Sequence, residues 1–205
     1  MPSSHLTQPA RLLRPDEIDA YAELFARCFT KEPWTATLLD VLDDPASCDA
    51  YLWASCRNDL REFAHHACAF VLDDLAGLAL CSTSATVSQE ESARIGKESF
   101  EVGCTGLTER ERALLSERLA SLFDTDDDSW CSGRYPQGYA FILAVAVSPH
   151  YRGTNAFDLL FDPLIERCDR EGLPLCLEAY ADKLVAHYKK KGFAVVQQDT
   201  SAATG

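Results

Sequence analysis

The chain has 205 residues, 47% of them apolar and 25% charged, enough to bury a sizeable core and too apolar to remain disordered. Nineteen basic against 32 acidic side chains give a net charge of -13, a field that repels nucleic acid and anionic lipid and favours cationic or amine partners. No apolar run reaches the roughly 18 residues that cross a bilayer, and the opening MPSSHLTQPARLLRP lacks the basic end and apolar stretch of a secretory signal, so a cytoplasmic protein without a membrane span is expected.

In chain order, ARLLRPDEIDAYAELFARCF reads as a short strand, after which Pro15 and Asp16 open a helix with Ile18, Tyr21, Leu24, Phe25 and Cys28 on one face. Trp34 to Leu42 predicts a second short helix. Ser47 or Asp49 opens a third, carrying Tyr51, Trp53, Leu60 and Phe63 as an aromatic-rich core stripe. ACAFVLDDLAGLALCSTSATV is two strand-like runs around Asp73-Asp74, the pattern of an antiparallel hairpin.

From about 88 to 137 the pattern leaves the sheet. SQEESARIGKESFE is polar, TERERALLSERLASLF is a helix capped by Thr108, and DTDDDSWCSGRYPQG is acidic and turn-rich, with Asp124 to Asp128 read as a solvated loop able to attract a cation. YAFILAVAV is apolar almost without interruption, which predicts a central strand buried on both faces. SPHYRGTNAF, a helix to about Arg170, the strand LPLCLEAY, the helix DKLVAHYKKK and a last strand FAVVQQ complete a mixed α/β pattern. The crossover helices make the strands near 140 and 175 parallel.

The nine cysteines, at 28, 48, 56, 68, 81, 104, 131, 168 and 176, contain no CxxC pair and lie inside apolar segments. They read as reduced core residues, with no metal site expected. His65-His66 has no third ligand nearby in sequence and reads as an ordinary polar step.

The chemistry-bearing piece is AVAVSPHYRGTNAFDLL, a buried strand that turns through His150 to Asn155 into a helix. Such a turn offers successive backbone N–H groups and the positive helix end to an anion. Gly153 permits close approach, Asn155 tolerates left-handed geometry and Arg152 adds a permanent cation. Taken alone, an ordinary strand-to-helix turn explains these residues equally well.

Val145 to Ala156 resembles the motif V-x-P-x-x-R-G-x-G-x-G/A of the GNAT superfamily of N-acetyltransferases, whose loop grips the pyrophosphate of acetyl-CoA. LCLEAYADKLVAHYKKKGF, Leu175 to Phe193, resembles that family's later strand, helix and closing Tyr-x-x-x-Gly-Phe, about 30 residues on, and the LEA-type strand is similar to the puromycin-acetyltransferase-like branch. With the element order before them, the resemblance spans the chain. It implies a GNAT-type mixed central sheet flanked by helices, with a helical insertion at about 88–137 before the central strand, all in one acetyltransferase domain.

The resemblance also implies roles. Backbone groups of Val145, Ala146 and Val147 would meet the pantetheine arm of the cosubstrate acetyl-CoA, and Arg152, Gly153, Thr154, Asn155, Ala156 and Phe157 would surround its pyrophosphate. Tyr188 would be the acid that protonates the departing thiolate. Glu178 is the nearest acidic candidate for a base, acting through water or by orienting the amine, while Glu32 and Trp34 fall in the acceptor-side region. The acceptor would be a small-molecule or peptide amine. Asn155 and Phe157 stand where the pattern has small residues, so a non-catalytic CoA-binding or protein-interaction module is the competing expectation. Pro163 should kink its helix. The short stretch after FAVVQQ leaves a sheet edge for an earlier segment or a partner subunit, as in a homodimer, to cover.

Overall fold

The computed structural model describes residues 6–123 and 129–198, so the acidic run Asp124 to Asp128 lies outside the described residues. Five strands form one mixed sheet in the order β1 (Arg11–Leu12), β2 (Ala69–Leu72), β3 (Gly77–Thr83), β4 (Ala140–Val147) and β5 (Leu175–Leu177). The first three pairings are antiparallel and β4–β5 is parallel. Asp73-Asp74 does turn the β2–β3 hairpin, as its polarity between two apolar runs predicts.

One face of the sheet carries α1 (Ile18–Phe29) and α3 (Pro45–His65), with α2 (Pro33–Leu39), α4 (Gln89–Gly103) and α5 (Glu109–Phe123) completing that layer. Leu78, Leu80, Ala144 and Ala146 point into it beside Leu24, Phe25, Leu60 and Phe63. The other face packs Ala79, Cys81 and Ile142 on Leu160, Phe161 and Leu164 of α7 (Ala156–Glu171), with α8 (Asp182–Lys190) beyond. A short helix, α6 (Ser129–Arg134), precedes β4. No helix among the described residues is long and apolar enough to cross a membrane.

Helix starts follow local chemistry. Glu32 caps α2 by accepting from the Thr35 N–H at 2.8 Å, with Pro33 in the first turn. Asp44, rather than Ser47 or Asp49, caps α3 through Ala46 and Ser47 N–H, and Pro45 follows it. Thr108 and Glu111 exchange side-chain and backbone bonds at the start of α5, a capping box. The stretch after Ser88, polar in sequence, is helical because Ser88 caps it and Ile95, Ser99 and Gly103 face the core at helical spacing.

Three expectations fail. β3 rather than β4 has both faces covered; β4 alternates, and Leu143 is 46% exposed. Trp53 is also exposed and lies against Arg57, with the guanidinium 5.6 Å from the ring centroid. FAVVQQ forms no strand, and Val195 and Val196 are exposed there. α7 runs on through Pro163, and the Leu159 carbonyl that loses its i+4 donor accepts from the Ala10 N–H at 3.2 Å.

Candidate functional site

The site begins with an extra residue in β4. Leu80 pairs with Ala144 and Cys81 with Ile142, so Leu143 is a bulge, and bulges bend their strand. β5 pairs only with Ala140–Ile142, through Leu175–Leu177, and β4 continues alone on that side from Leu143 to Val147. Ser148 N–H donates to the Ala76 carbonyl at 2.9 Å, so by antiparallel alternation Ala144 and Ala146 bond β3 while Val145 and Val147 turn their backbone groups to the opened side. Ala146, expected there with them, directs its carbonyl at β3 instead: a Cβ on Gly77 would lie 2.8 Å from it.

At the strand end, the Val147 carbonyl accepts from Arg152 Nε at 3.3 Å and from the Cys28 thiol at 3.7 Å. Burial pushes that thiol up, so it stays protonated and able to donate. The turn that follows is tied by Tyr151, whose carbonyl accepts from the Thr154 hydroxyl at 2.6 Å, while the same hydroxyl accepts from Ala156 N–H at 3.2 Å. Gly153 has φ +80°, where a side chain would be strained, so glycine is required by conformation and not by crowding.

The first helical bond of α7 runs from Leu159 N–H to the Asn155 carbonyl, at 3.0 Å. Among the described residues, the N–H groups of Phe157 and Asp158 have no protein acceptor. Asn155 has φ -81°, not left-handed, and its side chain does not cap the helix. Its Nδ2 donates to the Leu6 carbonyl at 2.9 Å instead, and its Oδ1 is buried without a partner.

Phe157, far from loosening the turn, packs it onto α8. Its ring stacks on Phe161 at 4.7 Å and meets His187 edge-on at 4.4 Å, and Tyr188 lies 6.2 Å from it and 5.6 Å from Phe161. Phe193 closes the cluster at 5.9 Å from Tyr188, and Lys191 ties the same helices through Asp158 and Asp162 at 2.7 and 2.6 Å. The structure thus brings Tyr188 together with the start of α7. Burial pushes the Tyr188 phenol up, which keeps it protonated at neutral pH.

Glu178 sits just past β5, with Oε1 accepting from Trp130 Nε1 at 3.0 Å and Oε2 from the Tyr180 hydroxyl at 2.8 Å. Glu178, Tyr180, Tyr188, Trp130 and Tyr135 line one open cleft of about 1090 Å³. Glu32, besides capping α2, keeps its second oxygen buried without a hydrogen-bond partner, and Trp34 packs on the α1–α3 core. All nine cysteines are free thiols, seven of them buried, and no group of three His, Cys, Asp or Glu side chains among the described residues is arranged to hold a metal.

Sequence reasoning missed the Leu143 bulge, the Trp130–Glu178 contact and the docking of Leu6 on Asn155. The first had no glycine to announce it, and the other two join residues 48 and 149 positions apart. The chain matches no protein-family model and no curated protein.

Proposed function

We propose that this chain is an acetyl-CoA-dependent N-acetyltransferase with a GNAT-type fold, moving acetyl to a primary amine by direct transfer in a ternary complex. The observation that carries the reading is the parting of β4 from β5 after Ile142, directly before a strand-to-helix turn with open first-turn N–H groups. An extended amide-bearing arm fits the exposed backbone of Val145 and Val147, and a pyrophosphate fits the turn of Arg152 to Phe157, with Phe157 and Asp158 N–H groups and the α7 dipole as donors.

In this reading the opened strand positions the thioester, and backbone donors stabilise the oxyanion that forms when the amine attacks its carbonyl carbon. Tyr188, protonated and packed from α8 against the Phe157 and Phe161 rings of α7, gives its proton to the sulfur as the carbon–sulfur bond breaks. Glu178 holds a fixed carboxylate beside the cleft, which suits orienting the amine and accepting, directly or through water, the proton that the nitrogen loses as the amide forms. The acidic balance of the chain supports a cationic acceptor, and a second copy is the natural cover for the outer edge of β5.

Calorimetry with acetyl-CoA, then thiol release over a panel of primary amines, tests the reading. Binding followed by amine-dependent thiol release is expected. Binding without release from any amine would favour the non-catalytic CoA-binding module, and absence of binding would defeat both.

A further inference from the structure

Two of the nine thiols meet each other. Cys131 of α6 hydrogen-bonds through its side chain to Cys176 of β5, across a gap in sequence that holds β4, the turn and α7. A second contact keeps these elements together: Trp130, next to Cys131, donates its Nε1–H to Glu178, two residues past Cys176, at 3.0 Å. The strand itself is fixed by its parallel pairing, with Cys176 opposite Phe141.

The two thiols differ in access. Cys176 is only 5% exposed, yet it lines the open cleft of about 1090 Å³ together with Trp130, Glu178 and Tyr188. Cys131 is 1% exposed and does not line that cleft. They differ from the remaining seven in chemistry as well. Burial pushes those seven up, whereas the Cys131 contact outweighs burial at Cys176 and, with the Arg134 charge, holds its thiol below the ordinary range. A thiol that faces a cleft, with a second thiol touching it from a tied helix, is the arrangement of an attacking and a resolving cysteine.

We propose that Cys176 and Cys131 are a peroxide-reactive pair in the cleft wall, a site of reversible disulfide formation. The Cys176 thiolate attacks one oxygen of hydrogen peroxide, the O–O bond breaks, and the departing hydroxide takes a proton to leave as water, which gives a sulfenic acid on Cys176. The Cys131 sulfur then displaces that hydroxyl as a second water, and the S–S bond forms. The two thiols are oxidised by two electrons in all, and one peroxide is reduced to two waters. The new bond fixes α6 on β5, and with it the Trp130–Glu178 wall of the cleft. None of this depends on the transferase reading, since the reactants are peroxide and the two thiols.

The test treats the folded full chain with hydrogen peroxide, blocks the remaining thiols, and counts and maps them after denaturation. The count should fall from nine to seven, with one cross-linked peptide joining Cys131 and Cys176, and dithiothreitol should return it to nine. In Cys131→Ser, which removes the resolving thiol, dimedone should trap the sulfenic acid at Cys176. Cys176→Ser should leave Cys131 unoxidised over the time in which the unaltered chain loses its two thiols. Retention of all nine thiols, or oxidation that falls first on other cysteines, overturns the proposal, and the unaltered chain decides this whether or not either variant folds.

Discussion

At Arg152, a single side chain joins the strand end to the turn. Its Nε holds the Val147 carbonyl at 3.3 Å, and its charge is the cation of the proposed pyrophosphate site. Arg152→Ala should weaken acetyl-CoA binding by about 1.5 to 3 kcal/mol, the worth of a charge-assisted hydrogen bond, with folding little changed because the residue is exposed. Calorimetry on the two proteins measures this directly; equal affinities would remove Arg152 from the site. Gly77 makes the opposite kind of prediction. A Cβ there would come 2.8 Å from the Ala146 carbonyl, which is backbone and cannot swing aside, so Gly77→Ala should destabilise the chain by about 1 to 3 kcal/mol in urea unfolding.

Between elements, the α3–α4 contact carries a titrating group. Burial pushes the Asp59 carboxyl up to about 7, while the Ser99 hydroxyl that donates to it opposes the shift. The folded state therefore keeps a proton that the unfolded chain releases near pH 4, so stability is fullest below that and falls as pH rises toward about 7, by up to about 1.4 kcal/mol per pH unit. Asp59→Asn should flatten that slope in thermal unfolding from pH 4.5 to 7.5; an unchanged slope would place the titration elsewhere. The same pair of helices shows how far sequence reached. The apolar stripe of α1, the hairpin at Asp73-Asp74, and the order strand, turn, helix from Ala140 to Glu171 were legible because each is set by local periodicity and capping. α4 was not read as a helix because its buried face is Ile95, Ser99 and Gly103, where polarity hides the period. The site divides likewise. Gly153 and the turn were readable from local chemistry, whereas the Leu143 bulge, the turning of Ala146 toward β3 and the use of Asn155 depend on partners distant in sequence.

Across the whole molecule, one sheet separates two helical layers, and the proposed chemistry falls where that sheet comes apart. α1 reaches the opening through Cys28, α7 brings the turn proposed to receive the pyrophosphate, and α8 delivers Tyr188, which the Phe157, Phe161 and Phe193 rings hold in place. In the proposed reaction the Tyr188 hydroxyl supplies the proton to the leaving sulfur. Tyr188→Phe keeps the packed ring and deletes the proton donor alone. With saturating acetyl-CoA and acceptor, and with chemistry shown to limit the rate, the account predicts that amine-dependent thiol release falls by roughly 100-fold or more while acetyl-CoA affinity and thermal stability hold. Full turnover in Tyr188→Phe under those conditions would contradict it.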